Sequence, residues 1–549
     1  MNNLYNLARN GLSVAQAALR VTGDNLTNGV SHAYSRRSMI IGELGGMSTQ
    51  TGFYGFGAQV NGIERAYDSF ANNQLRGAIS QYSFLNGRME QLADIDNMLA
   101  DESDNVSVSL GNLFKAMSTL STAPEDAAAR SAVFNSLGSL ASRYNASGKR
   151  LSGLEKSTNT QIEQSVKDLN SYTKQLAEIN KQLERAQGAG KPPADLLDRR
   201  DLLLEEISNQ IGIEVSENVQ SGRVDVTLSD GRPLVSGDKA YELKTSPSAN
   251  DPNKTIVSYV DANGKETPLD EDRITKGHLA GLFKFRNEDL TLARQELDKM
   301  AFIMASRMNE QNRDGFLPDG TQGGDLFSLP PIAARANSGN VGTGKLGPIE
   351  VTDYKLVNAE EYTIRYDDAV GGWRVTGADG RDIPHVPGRP DGIEFDGLKV
   401  QLPDPATVKD GDSFTFNPMS GAAEGLSRKI TDAQGFAASD SKDPDDKGNN
   451  KNLQKMLEIQ NEELIGGSTL AEAYASLVGT IGDNARNVKS NLTSAEIDMQ
   501  TKFETKQALS GVSMDEEKIN LDMFLQYYRA NAQLLQTANN MFDSLLAIR

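Results

Sequence analysis

From Met514 to Arg549 the sequence contains neither proline nor glycine, and apolar side chains recur through it at helical spacing. One row runs Leu521, Phe524, Tyr528, Leu535, Ala538, Phe542 and Leu545, flanked by Met523, Tyr527, Ala530, Leu534, Met541 and Ile548. The pattern predicts one helix, about 50 Å long at ~1.5 Å per residue. The opening segment matches it. Leu4, Leu7, Gly11, Val14, Ala18 and Val21 form one row, and Leu12, Ala15, Leu19, Thr22 and Leu26 form a second beside it. Two adjacent rows make a wide apolar face on each helix, more than a single helix pair can cover. The ends are therefore expected to pack on each other and on further copies of the chain. An ordinary intramolecular helical hairpin is the plainer alternative.

Between these ends the period changes. "IGELGGMSTQTGFYGFGAQVNGIERAYDSF" is glycine-rich and then alternates with period two, so it reads as a loop with short strands. Helical spacing resumes near Phe70 and runs to Arg185 with a break at Pro124; Ile162, Val166, Leu169, Leu176 and Leu183 mark a coiled-coil-like seam. "LLDRRDLLLEEISNQIG" predicts a further helix. From Ile211 to about Leu279, alternation with Asp230-Gly231 as a turn pair predicts β-hairpins. A helix is expected over about Leu282–Gln311, and a second β-module over about Ile349–Asn417 with Gly371-Gly372 as a hairpin turn. After the polar "SDSKDPDDKGNNKN", helix is expected from about Leu453 to the end.

The predicted fold is α+β and elongated: N- and C-terminal helices paired as a coiled-coil stem, a helical bundle domain, and β-rich modules inserted in the middle. The expected borders are 1–70 for the first helix and loop, pairing with 500–549. The bundle takes 71–210, a return and linker over 281–345, and 421–499. The β-modules take 211–280 and 346–420.

A net charge of −19 over 549 residues repels phosphate backbones, so nucleic acid is not an expected partner. No run approaches the ~20 apolar residues of a membrane span, and no membrane insertion is expected. The first twenty residues have no basic start or long apolar run, so no Sec-type signal is expected.

With no cysteine, thiol nucleophiles and thiolate metal sites are absent, and the three histidines, His32, His278 and His385, fall in different regions. "GNVGTGKL" imitates a phosphate loop, but Leu346 stands where Ser or Thr must hold a metal ion, and a strand pattern follows where a helix is required. "DPDDKGNNKNLQ" places Lys447 and Gln454 where a calcium loop needs oxygen ligands. The pairs Glu205-Glu206 and Asp515-Glu516-Glu517 read as exposed helical charge, the latter favoured in a first helical turn. No catalytic, metal or cofactor site is expected.

"GDNLTNGVSHAYSRRS" resembles a segment near the N-terminus of the flagellar rod, hook and hook-associated proteins. Asn25, Leu26, Asn28, Tyr34, Ser35 and Arg36 match in register, whereas Asp24, Val30 and Ala33 depart. "VNGIERAYDSFANNQLR" is similar to the segment that follows in hook-associated members, through Val60, Ile63, Arg65, Tyr67, Asp68, Phe70, Gln74 and Arg76. "LLDRRDLLLEE" differs from their pattern by Arg199 for Gln, and "MNEQNRDGF" by Asn312 for His. "AYASLVGTIG" and the last forty residues extend the likeness, which is weak in the β-modules.

The resemblance implies a structural protein of the bacterial flagellum, outside the cell, polymerising at the distal hook end where hook meets filament. The partners it implies are the chain itself in a tubular homo-oligomer, the hook protein, a second hook–filament junction protein, and a cytoplasmic chaperone covering the C-terminal helix before export. The implied N-terminal assembly residues are Leu4, Leu7, Val14, Leu19, Asn25, Leu26, Asn28, Tyr34 and Arg36, with Tyr34 and Arg36 anchoring the segment after the first helix. Those of the C-terminus, shared with chaperone binding, are Leu521, Phe524, Tyr528, Leu535, Ala538, Phe542, Leu545 and Ile548. The alternative is an exported enzyme or adhesin on a coiled-coil stem, such as a peptidoglycan-cleaving one.

Overall fold

The computed structural model describes residues 2–31, 33–50, 52–101, 105–187, 192–369, 372–388 and 392–546. His32, Gly371, Ile548 and Arg549 lie outside them, as do the side chains of Leu545 and Leu546.

The first and last helices form an antiparallel pair. In α1 (Asn2–Asn28), Asn25 meets Glu517 near the start of the last helix, while Gly11 faces Asn531 further along it. After α1 the chain leaves the stem as a two-stranded ribbon, β1 (Arg37–Glu43) with β4 (Ala58–Arg65). A smaller hairpin, β2 (Gly46–Thr49) with β3 (Gly52–Gly55), extends from it.

Asp68 then caps α2 (Ser69–Leu99), its carboxylate accepting the Ala71 N–H at 2.8 Å. Helical spacing is continuous in the sequence here, but α2 ends at Leu99 with Ala100 as its C-cap, and Asn105 caps a separate helix, α3 (Val106–Thr122). After Pro124 comes α4 (Ala127–Gln187), then α5 (Ala194–Gln210).

The seam of Ile162, Val166, Leu169, Leu176 and Leu183 is buried, yet it meets no long partner helix. It packs on α5 and on the first β-module, in a core with Val226, Leu234, Val235 and Val257. An apolar sheet face, together with α5, covers the stripe that a coiled-coil partner was expected to cover. That module holds a four-stranded sheet from Ile213 to Ala240 and a three-stranded one from Leu243 to Pro268, with Gly231 at φ +84° in the expected turn. Its strands stop at Pro268 rather than near Leu279.

Helix resumes at α6 (His278–Lys284), passes through a π-helical turn (Phe285–Leu290) and continues as α7 (Thr291–Arg313). The wide turn carries Arg286 to Glu271 and Asp289 to Arg88, both pairs at 2.7 Å. The second module begins at Arg335–Ala336, earlier than 346, because that strand pairs with Ser413–Phe416. Its two four-stranded antiparallel sheets meet through Tyr362, Phe395 and Phe416.

The chain returns through α8 (Ala422–Gly425) and α9 (Lys451–Glu458). Next comes α10 (Leu470–Ser510), which pairs with α2: the Tyr474 hydroxyl donates to the Leu99 carbonyl at 3.1 Å. The C-terminal region is thus not one helix from Leu453. α10 crosses the expected 499/500 border, and the chain turns at Gly511–Ser513 before α11 (Met514–Leu546).

Candidate assembly surfaces

The contact between α1 and α11 is made of small residues. Ala8, Ala15 and Ala18 are buried to within 1% of full, and Val14, Val21 and Thr22 flank them. Gly11 permits the closest approach: a Cβ there would stand 2.1 Å from Asn531 Oδ1. From α11, Leu521, Phe524, Tyr528 and Leu535 are half-buried and Ala538 is buried. Leu4, Leu19 and Leu26 are half-buried on the other side, so the expected Leu-rich row flanks a seam of alanine and glycine rather than forming it.

The inner rows therefore find cover within one chain. The outer rows do not. Tyr5 and Leu7 of α1 and Ile519, Met523, Tyr527, Met541 and Phe542 of α11 remain 37–69% exposed. This narrows the expectation that both rows seek shelter between copies, since only the outer one is left to do so. Phe542, expected on the inner row, belongs to the outer set at 53% exposure.

At the stem's inner end two of the matched residues, Asn25 and Arg36, converge on the Glu517 carboxylate, expected from sequence as exposed charge, and a third, Tyr34, joins through Asn25. Glu517 is 2% exposed. It accepts Asn25 Nδ2 at 3.1 Å and Arg36 Nε at 3.0 Å, while Glu516 pairs with the outer side of Arg36 at 2.9 Å. Asn25 also donates to the Arg37 carbonyl at 2.9 Å and accepts the Arg37 N–H and the Tyr34 hydroxyl, at 3.0 and 2.8 Å. Burial pushes the Tyr34 phenol up to about 12, so it stays a donor at neutral pH. The Arg36 N–H closes the ring on the Ser510 carbonyl at 2.8 Å. The end of α1, the ribbon and the α10–α11 turn are thus tied in one place. Asn28 takes no part; it is exposed and bonds back to Asp24 of its own helix.

The ribbon is held from beneath by α5. Arg65 bridges Asp198 at 2.7 Å and Asp201 at 2.6 Å, and Arg37 reaches Asp198 at 3.3 Å. Burial pushes Asp201 up, but the Arg200 and Arg65 guanidiniums outweigh it and hold the carboxyl below its usual range. Glu205, read as exposed charge, is half-buried and paired with Lys506 of α10. The two clues available in sequence were Arg65 in its matched segment and the Asp-Arg-Arg-Asp run of α5. Neither says that the two meet.

The imitation motifs have ordinary occupations. The N–H groups of Val341 and Gly342 are taken by the Asp412 carboxylate at 2.8 and 3.0 Å, and those of Thr343 and Gly344 by the Thr407 carbonyl. Asp443 accepts the N–H of Asp445 in an exposed turn. Asn312, standing where His is usual in the resemblance, is fully buried and holds backbone groups of Gly324, Gly435 and Ala437. Among the described residues no group of three or more His, Cys, Asp or Glu has the placement of a metal site, and no helix is long and apolar enough to cross a membrane.

Residues 92–327 match the family model "Flagellar hook-associated protein FlgK helical domain", and residues 335–418 match "Flagellar hook-associated protein 1, D2-like domain". The chain is 38% identical over 558 aligned residues to flagellar hook-associated protein 1 of Salmonella typhimurium, covering 100% of both chains. It is 36% identical over 555 to that of Escherichia coli K12, again covering both fully. Among solved structures, the flagellar hook junction protein FlgK from Burkholderia pseudomallei superposes with a TM-score of 0.70 at 24% identity, over 80% of this chain and 100% of that one.

Proposed function

Because the chain belongs to the flagellar hook-associated protein 1 family and is a structural component of the flagellum at the hook–filament junction, we propose that its paired terminal helices are its assembly surface. The observation carrying this reading is the outer row of α1 and α11, left exposed after the inner rows have packed. Each large apolar side chain buried against a neighbour contributes ~1.5–3 kcal/mol, so the row Ile519, Met523, Tyr527, Met541 and Phe542 supplies a strong drive to associate. Copies arranged around a channel would bury it in a tubular homo-oligomer, with the hook protein on one side and a second junction protein on the other.

The same row is a hazard in a free monomer. A cytoplasmic chaperone covering α11 until export answers that hazard and accounts for a transient cytoplasmic stage. The β-modules, remote in sequence from the stem, are left to face outward. Catalysis has no part in this reading; the relatives are structural proteins, and the enzyme or adhesin alternative draws no support from them.

The test is removal of the residues after Met514. The β-modules are expected to stay folded by circular dichroism while incorporation at the hook tip is lost. Normal motility of such a strain refutes the proposal.

A further inference from the structure

Two features of the excursion between α1 and α2 complement each other. One is a knob. The β2–β3 hairpin has four residues per strand, every residue of β3 is exposed, and Met47 and Phe53 stand 50% and 67% exposed. A two-stranded hairpin on its own is marginal in water. Its base is nevertheless held in place. Asn10 Nδ2 of α1 donates to the Phe56 carbonyl at 3.1 Å, Leu44 N–H to Gly57 at 2.8 Å and Phe56 N–H to Gly45 at 3.0 Å.

The other feature is a groove of about 1040 Å³ between the ribbon, the start of α2, α5 and the first β-module. Val60 through Arg65 line it in unbroken succession, along a strand whose only paired neighbour among the described residues is β1. Its lips are apolar and open to solvent: Val60 is 38% exposed, Ile63 48% and Val219 89%. In its wall stands Arg76, 6% exposed. One guanidinium nitrogen bonds Asn73, and the other terminal nitrogen has no acceptor among the described residues. An unsatisfied buried donor is costly, and an acceptor brought into the groove would relieve it.

We propose that the β2–β3 hairpin of one copy seats in this groove on the next copy, lying along the open edge of β4 and offering a backbone carbonyl to Arg76. A groove this large exceeds what most small ligands fill, and a strand edge selects extended backbone. This chain itself displays an extended, apolar segment in need of cover. Knob and groove occupy different places on one molecule, so the contact is head-to-tail and repeats from copy to copy, as a ring or tube requires. The inference rests on the self-assembly reading above and adds the side-to-side contact to it.

The chain has no cysteine, so introduced thiols are unambiguous. Met47→Cys and Val219→Cys are placed in separate chains, co-expressed, and treated with a short bismaleimide on isolated flagella. The expected product is a dimer containing one chain of each kind, at least about ten-fold above dimers formed when either variant is present alone. Flagella that contain both variants but yield no mixed dimer overturn the seating and leave the assembly reading intact. Absence of even the unaltered chain from the hook tip sinks the assembly reading itself. Should either cysteine chain fail to incorporate, Phe53→Ala decides. Incorporation reduced about ten-fold supports the contact, and incorporation equal to the unaltered chain overturns it.

Discussion

Replacing Glu517 by alanine isolates the tie between the two ends of the chain. The carboxylate accepts two hydrogen bonds, from Arg36 at 3.0 Å and Asn25 at 3.1 Å, with its side chain only 3% exposed. Hydrogen bonds to a charged group are worth ~1.5–3 kcal/mol each, a gross loss of about 3–6 kcal/mol. Three features reduce it. The carboxylate's own desolvation penalty disappears, Arg36 is 30% exposed and keeps Glu516, and Asn25 keeps the Arg37 carbonyl at 2.9 Å. A net cost of about 2 kcal/mol follows, or roughly 30-fold in an equilibrium constant. Because α11 packs on α1 and the tie lies at its first turn, the loss falls on local detachment of α11 rather than on global unfolding. Hydrogen exchange of the peptide covering Met514 to Ala530 should therefore speed up about 30-fold in the free chain, with the β-modules unchanged. Unaltered exchange in that peptide would show that the ends are held by helix packing alone.

Three further outcomes follow from other contacts. Gly11→Ala gains ~1 kcal/mol of helix propensity but sets a Cβ 2.1 Å from Asn531 Oδ1, so α1–α11 docking should not strengthen. Adding Asn531→Ala should release the gain, and a double mutant no more protected in hydrogen exchange than Gly11→Ala refutes this. Asn312→Ala, which strands the Ala437 N–H and two carbonyls in a fully buried site, should cost about 3 kcal/mol in urea unfolding; a cost below about 1 refutes it. Asp298 accepts the N–H groups of Gly421 and Ala423, yet burial pushes its carboxyl up to about 6. A raised carboxyl contributes stability that is complete below the unfolded value near ~4 and lost as pH rises through about 6, here ~3 kcal/mol. Asp298→Asn should flatten that pH slope, and an unchanged slope refutes the assignment.

What sequence alone could show is set by the kind of force involved. The terminal helices, the start of the first β-module and the Asp230-Gly231 turn come from periodicity and local backbone preference, and they stand where those signals put them, although the module's strands stop at Pro268. The end of α10 at Ser510 and the start of α3 at Val106 are not marked by proline; the first is tied by the Arg36–Ser510 bond and the second by the Asn105 cap, neither of which alters the apolar period. The seam of α4 was legible as buried but not as facing a sheet, because a stripe such as Leu169 to Leu183 has the same spacing whatever covers it. The tie at Glu517 was half legible. Asn25, Tyr34 and Arg36 were visible through their motif, but their partner lies 492 residues from Asn25, and an acidic residue in a first helical turn already had a sufficient local explanation.

The division of labour within the terminal helices bears on the assembly surface proposed above. Alanine and glycine at Ala8, Gly11, Ala15 and Ala18 let α1 and α11 approach closely while burying little apolar surface per contact. Leu521, Phe524, Tyr528 and Leu535 flank that seam half-buried, while Leu7, Ile519, Met523, Tyr527 and Phe542 are exposed. The pair thus combines close packing along the seam with a polar tie at one end, and leaves exposed apolar side chains on both helices. Moving large residues inward, for instance by Ala15→Leu with Ile519→Ala, should leave the chain soluble yet weaken its incorporation at the hook tip. Such a variant incorporating at the normal level would show that the outward row is not what drives assembly.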